Sequence, residues 1–418
     1  MSSADFLEKL LDGVEVEWKA FCELTFPTSN IKWRDAERTY RYIDLTSVNI
    51  ETKSIVETSE VQASNAPSRA QKLVEKGDVI FATTRPTQQR YCLIDDEYSG
   101  EVASTGYCVL RAKRDEVLPK WILHWIASRD FKTYVEENQS GAAYPAISDT
   151  KVKDFKIPIP CPDNPKKSLE VQAEIVRILD AFTELSAKLT AELTARKKQY
   201  NYYRDQLLSF ENVDVAWKTL DMICEIGDGN HSSKYPRSDE MVAQGVPFIR
   251  GTNMVDGSIC GRDMKFITQE KHQQLRKGHL KANDVLIANR GEIGKIAQVT
   301  GDYAGSNLNS QLAWLRADPK IVSPRYLFYV LNATHIQSGI SGEGGALQQL
   351  TIKNIKLIRI PVPPLAEQVR IVSILDKFDT LTNSLTEGLP REIELRQKQY
   401  EYYRNLLLSF TKSEGAIA

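Results

Sequence analysis

No run of about 18 or more apolar residues occurs in this chain, the length a membrane-spanning helix needs. The opening stretch MSSADFLEKLLDGVEVEWK carries acidic residues and no apolar core, so no secretory signal is expected. The six cysteines (Cys22, Cys92, Cys108, Cys161, Cys224, Cys260) contain no CxxC pair. Reduced thiols in a cytoplasmic protein are therefore expected, rather than a disulfide frame or zinc site. His231 lies near Cys224 and Asp228, but no second ligand pair is spaced for a metal, so none is expected. Nucleotide and catalytic motifs are missing too. GEIGK at Gly291–Lys295 has the wrong spacing for a phosphate loop, and no GxGxxG joins a strand to a helix. PVPPL at Pro361–Leu365 is not the Asn/Asp-Pro-Pro-aromatic run of an amino-methylase. Pro162-Asp163 with Lys166-Lys167 only poorly imitates a nuclease site. No catalytic residue is expected. A net charge of −1 over 418 residues means that any phosphate-binding surface must be local.

What is present is a long helical signature, twice. Leu169–Phe210 has apolar residues at Ile175, Ile178, Phe182, Leu185, Leu189, Leu193, Tyr200, Tyr203 and Leu207, with no Gly or Pro. Steps of three and four predict a helix with an apolar seam, roughly 60 Å long. Leu365–Phe410 repeats it, with Ile371, Ile374, Phe378, Leu381 and Leu385 along the same stripe. ILDAF at Ile178–Phe182 answers ILDKF at Ile374–Phe378, and KKQYNYYRDQLLSF at Lys197–Phe210 answers QKQYEYYRNLLLSF at Gln397–Phe410. Gly388-Leu389-Pro390 should break or kink the second copy.

The segments before each helix also correspond. Phe6–Leu11 reads as a short helical lead-in, and Trp18-Lys19 is answered by Trp217-Lys218. RYIDLTSVNIE at Arg41–Glu51 pairs with PFIRGTNMVDG at Pro247–Gly257, and KGDVIFATTR at Lys76–Arg85 with ANDVLIANRG at Ala282–Gly291. YCVLRA at Tyr107–Ala112 pairs with LAWLRA at Leu312–Ala317. These runs predict short strands. Val117–Ser128 and Val322–Ala333 predict helices opened by proline. Small-residue loops at Ser140–Ser148 and Ser341–Thr351 precede Pro-rich strands at Phe155–Pro162 and Ile358–Pro364. The expected fold is α+β: two tandem domains with small mixed or β-sheets, separated and joined by two long antiparallel, coiled-coil-like helices as a pseudo-twofold repeat. The expected boundaries are 1–167, 168–210 for the central helix, 211–364, 365–410 for the C-terminal helix, and 411–418 for a tail.

These blocks, in order and twice, resemble the specificity subunit of a type I restriction–modification system over essentially the whole chain. LDMICEIGDG, VPFIRGTNM, NDVLIANRGEIGKIA, LNSQLAWLRA, SPRYLFYVL and IKNIKLIRIPVPPLAEQ carry the likeness in the C-terminal half. LTAEL at Leu189–Leu193 and IPIPCPDNPKKSL at Ile157–Leu169 resemble the IC-type subfamily. In the N-terminal half TRPTQQR at Thr84–Arg90 replaces the GEIGK block and lacks its glycines. The resemblance implies a non-catalytic reader of double-stranded DNA with a bipartite, asymmetric target, one half per domain. It implies that the paired helices set the gap and dock two modification subunits that methylate adenine with S-adenosylmethionine. Restriction subunits using ATP and Mg would complete the assembly, and this chain itself would bind no cofactor.

Reading DNA calls for Arg on guanine, Asn or Gln on adenine, and Lys, Arg and hydroxyls on phosphates. In the N-terminal domain the candidates are Lys32, Arg34, Arg38, Arg41, Arg69, Lys72, Arg85, Gln88, Gln89, Arg90 and Tyr91. In the C-terminal domain they are His231, Ser232, Lys234, Tyr235, Arg237, Arg250, Thr252, Asn253, Asn289, Arg290, Lys295, Asn307, Asn309 and Gln311. Asn289 and Asn309 could instead satisfy turn backbones, and Gly291 and Gly294 could simply permit a tight turn. Ile178, Phe182, Tyr200, Tyr203, Ile374, Phe378, Tyr400 and Tyr403 are expected to pack helix to helix or dock a modification subunit. The competing readings are a self-contained DNA-modifying or DNA-cutting enzyme, and a coiled-coil scaffold.

Overall fold

A proline and a cap start the longest element. Asn164 Oδ1 accepts a hydrogen bond from Lys167 N at 3.1 Å, and Pro165 opens the first turn. The helix then runs unbroken from Pro165 to Leu208. The computed structural model describes residues 15–210, 214–229, 234–342, 348–384 and 387–410. The lead-in expected at Phe6–Leu11 and the tail 411–418 lie outside the described residues. The chain divides into two compact units, Met1–Lys188 with Glu394–Ala418, and Leu189–Ile393. The division falls within the central helix, where no residue between Leu179 and Tyr200 is buried.

In the first unit, Val16–Ala20 pairs antiparallel with Lys156–Pro160, placing Trp18 opposite Pro158. A ladder of only two strands leaves the prolines' missing donors harmless. One four-stranded sheet orders Thr25–Phe26, Tyr107–Ala112, Val79–Ala82 and Tyr91–Leu93. A second orders Ser59–Val61, Tyr40–Ile43, Val102–Ser104 and Ala70–Leu73, with Tyr40–Ile43 parallel to Val102–Ser104. The core gathers Phe21, Phe81, Trp121, Trp125 and Phe131 with Ile175 and Leu179 of the central helix. Tyr400, Leu407 and Leu408 from the far end of the chain join that same core.

The second unit repeats this plan. Ala216–Thr219 pairs with Arg359–Val362, and Trp217 lies opposite Pro361. Cys224–Asp228, Leu312–Ala317, Val285–Ala288 and Ile296–Gln298 form the four-stranded sheet. Val246–Ile249 runs parallel to Asn307–Leu308 in the second sheet. Ile371 and Leu375 share a core with Tyr200 and Leu208 of the central helix. The C-terminal helical segment is two helices, Leu365–Asn383 and Gly388–Leu407. Pro390 falls in the first turn of the second helix rather than at the break. Gly388 has φ +74°, and a Cβ there would stand 2.4 Å from the Thr380 carbonyl oxygen.

The helix–domain clamps are equivalent but chemically different. Gln172 accepts from Leu118 N at 2.9 Å and donates to Glu116 O at 3.1 Å; Gln368 treats Ser323 N and Ile321 O alike at 2.8 and 3.0 Å. Both glutamines are fully buried. Asp180 bonds Lys120 at 2.5 Å and His124 at 3.0 Å, whereas Asp376 bonds Arg325 at 2.7 Å and the Tyr329 hydroxyl at 2.6 Å. Burial opposes ionisation of Asp180, but the bonds from His124 and Lys120 hold its carboxyl below the usual carboxylate range.

Candidate nucleic-acid interface

One end of the first unit is stitched from loops distant in sequence. Thr105 N donates to Arg69 O at 2.8 Å, Thr83 N to Gly106 O at 2.8 Å, and Ile147 N to Thr83 O at 2.9 Å. This carries Arg69, the Thr84–Arg90 turn and the Ser140–Ser148 loop on one scaffold. Trp33 Nε1 donates to Ala70 O at 2.8 Å, which brings the turn holding Lys32 and Arg34 beside Arg69. Lys32, Arg34, Arg69, Arg85 and Gln88 are exposed.

The Thr84–Arg90 turn explains how a stretch without glycine occupies a glycine-containing block. Asn289 N donates to Gln311 O at 3.0 Å and Leu350 N to Asn289 O at 2.9 Å, the same bonds that Thr83 makes. Ala82 N donates to Arg90 O as Ala288 N does to Lys295 O, at 2.8 and 2.9 Å. Between these anchors Arg85 stands where Gly291 stands and Gln89 where Gly294 stands. All four are left-handed, with φ of 51° and 53° against 74° and 85°. An L-residue loses about 1–2 kcal/mol there through Cβ contact with the carbonyl. Strain of this kind is concentrated at functional sites.

Lys53 enters the same group, and nothing in its sequence context singled it out. Its ammonium donates to Gln89 O and lies 4.4 Å from the centroid of the Tyr91 ring. Burial, then the neighbouring Arg90 charge, bring its pKa down to about 8. Arg90 Nη1 donates to Val48 O at 2.8 Å. None of Lys53, Arg85 or Arg90 pairs with a carboxylate among the described residues. Three other candidate cations of this unit are committed internally. Arg38 bonds Glu101 at 3.0 Å and covers Tyr40, Arg41 bonds Glu97 at 2.5 Å, and Lys72 bonds Asp149.

In the second unit the asparagines of the candidate set turn inward. Asn253, Asn289, Asn307 and Asn309 are all buried. Asn253 accepts from Arg250 N at 3.1 Å and donates to Arg262 O at 3.1 Å; Asn307 donates to Lys277 O at 3.3 Å. Asn309 accepts from Gln311 N at 3.1 Å, the turn-satisfying alternative. Arg250 donates to Asp263 O at 2.6 Å, and Lys295 pairs with Glu292 at 2.7 Å. Tyr235 packs edge-on against Phe248. Lys234, Arg237, Thr252, Arg290 and Gln311 remain exposed. Arg290 donates to Gln349 Oε1 at 2.8 Å, which ties Gln349 to the Asn289–Lys295 turn here as well. His231 and Ser232 lie outside the described residues.

The helix residues pair within each unit. Phe182 stacks on Tyr403 at 5.3 Å, and Phe378 on Tyr203 at 5.6 Å. Ile178 packs against the first core and Phe378 against the second, Ile374 is half-buried, and Tyr400 and Tyr200 are buried in those cores. Their neighbours Tyr202 and Tyr402 are 59% and 64% exposed. A seam pattern marks inward positions only, so it does not single out these two outward tyrosines.

Two small-sheet α+β domains on long helices, each ending in a polar turn, define a tandem recognition protein. Residues 25–195 and 212–395 each match the family described as type I restriction modification DNA specificity domain, and the chain belongs to that family. It is 40% identical to the EcoR124I/EcoR124II specificity subunit of Escherichia coli, with 99% of each chain covered. Against the EcoprrI specificity subunit of E. coli the identity is 30%, covering 93% of each. A chain from a structure titled for complex assembly and conformational transition of the type I R-M system superposes with TM-score 0.62 at 23% identity, covering 94% of this chain and 97% of that one. The type I S subunit of M. genitalium does so with TM-score 0.55 at 15% identity, covering 96% and 98%. These two show the shared fold.

Proposed function

We propose that this non-catalytic subunit reads a bipartite, asymmetric duplex target, one half per globular domain, and presents it to partner enzymes. The observation that carries the reading is one turn built twice with different side chains. Thr83-Thr84-Arg85 and Asn289-Arg290-Gly291 share their backbone bonds but offer different chemistry to a groove. The domains span 1–167 and 211–364, the helices 168–210 and 365–410, with 411–418 as a tail. The base-reading set is drawn from exposed Lys32, Arg34, Arg69, Arg85 and Gln88, and from Lys234, Arg237, Thr252, Arg290 and Gln311.

The helices fix the separation of the two half-sites and dock two modification subunits on their outward faces, where Tyr202 and Tyr402 are exposed. Those subunits supply S-adenosylmethionine for adenine methylation, and restriction subunits supply ATP and Mg. The assembly works in the cytoplasm. Among the described residues no helix is long and apolar enough to cross a membrane.

Leu189–Glu192 lies where the central helix has no buried residue. Four residues are about one turn, roughly 6 Å, close to two base-pair steps. The experiment is methylome sequencing of a host carrying the system, before and after deletion of Leu189–Glu192. A two-part methylated site whose gap shortens is expected. An unchanged gap, or methylation and cutting by the purified chain alone, would sink the proposal.

A further inference from the structure

We infer that Tyr144, held in place by Arg85, is a base-contacting specificity residue of the N-terminal half-site. The inference rests on the DNA-reading function proposed above. Tyr144 is 73% exposed, the highest value for a large apolar side chain among the described residues. Such exposure costs a monomer hydrophobic burial, so an aromatic fixed in that position is suited to a partner surface.

The loop is built to hold it there. Ser140 and Ala146 exchange two backbone hydrogen bonds, both 2.8 Å, closing the loop into a tight arch. Arg85 N donates to Pro145 O at 2.7 Å, tying the arch to the reader turn one residue beyond Tyr144. Gly141 has φ +95°, and a Cβ there would lie 2.8 Å from the Tyr144 carbonyl oxygen, so only glycine lets the arch close. The Arg85 guanidinium stands 5.7 Å from the Tyr144 ring centroid, and Arg85 is itself in the left-handed conformation immediately before Pro86. A residue before proline is already restricted to extended backbone, which adds to the strain.

The chemistry is that of a composite reading element. A planar ring can lie against a thymine methyl or a base face, while the neighbouring guanidinium reaches a guanine edge or a phosphate. A neutral ring releases no counterions, so its share of binding differs from that of a lysine or arginine in salt dependence.

The test selects duplexes from a randomised pool with the full chain in its assembly with modification subunits, then compares wild type, Tyr144→Ala, Tyr144→Phe and Arg85→Ala. With Tyr144→Ala, preference at one or two adjacent base pairs of one half-site is expected to be lost. Affinity for the wild-type site should fall at least about fivefold, with unchanged salt slope. Tyr144→Phe should retain the preference, and Arg85→Ala should lower the slope by about one. Tyr144→Ala binding within twofold of wild type, with the same base preferences, overturns the inference and leaves the DNA-reading function standing. If wild type selects no sequence, the function proposed above fails and this inference with it.

Discussion

Leu208 and Leu408 occupy matching positions in the two LLSF blocks, yet each is expected to stabilise a different domain: Leu208 the one that follows it in the chain, Leu408 the one at the far, N-terminal end. Leu408, 6% exposed, packs in the core that contains Trp121, Trp125 and Phe131. Leu208, fully buried, packs in the core that contains Tyr326, Tyr329 and Ile371. Truncating a buried leucine to alanine costs about 2–5 kcal/mol, from lost transfer energy and the cavity left behind. At about 3 kcal/mol the opening equilibrium of the affected domain rises roughly 150-fold. Amide hydrogen exchange of the full chain resolves this by segment. Leu408→Ala should speed exchange in the Pro119–Ile126 helix and leave Pro324–Leu331 near wild type. Leu208→Ala should do the reverse. Trp121 and Trp125 lie 5.8 and 6.4 Å from Phe410, so Leu408→Ala should also shift tryptophan fluorescence more than Leu208→Ala does. Deprotection of Pro324–Leu331 by Leu408→Ala, or equal deprotection of both helices by either variant, would refute this assignment of helix ends to cores.

Arg85→Gly should raise the melting temperature of the first domain while weakening DNA binding. Relief of left-handed strain exceeds the added chain entropy of glycine by about 0.5–1 kcal/mol, a few degrees by calorimetry, and a lower melting temperature would contradict it. Lys53 is held near pKa 8 against an ordinary 10.5, so between those values the folded protein binds fewer protons than the unfolded chain. Stability should therefore rise with pH from about 8 to 10.5, and Lys53→Met should flatten that rise in denaturant titrations. Arg290→Glu should weaken binding to duplexes carrying only the C-terminal half-site and lower the salt slope by about one. Equal loss on both half-sites would mark a folding defect.

Much of this molecule was legible because repetition makes weak signals mutually supportive. The proline-opened helices at Pro119 and Pro324, the apolar runs at Val79–Ala82 and Val285–Ala288, and an unbroken central helix all follow from local pattern. That helix begins at Pro165, three residues before the expected start, because the Asn164 cap and Pro165 open it earlier. The break before Gly388 followed from its residue types, although Pro390 sits inside the resumed helix because a first turn needs no donor there. The interface was less legible. Asn253, Asn307 and Asn309 have the residue type of base readers, yet their amides satisfy buried carbonyls and turns. Residue type carries no record of which way a side chain points.

The order of elements, their duplication and the length of the helix were determined by sequence alone, because periodicity and turn chemistry act over a few residues. Tertiary structure decided which helix end serves which domain, since the matched YYR blocks could pair with either core. It also decided that Arg85 and Gln89 adopt the glycine backbone of the other half. The bonds at Thr83, Ala82 and Arg90 fix the turn's ends whatever its residues, and surrounding contacts outweigh a local cost of about 1–2 kcal/mol. Tyr144 came into view only then, carried beside Arg85 by loops some sixty residues apart in the chain.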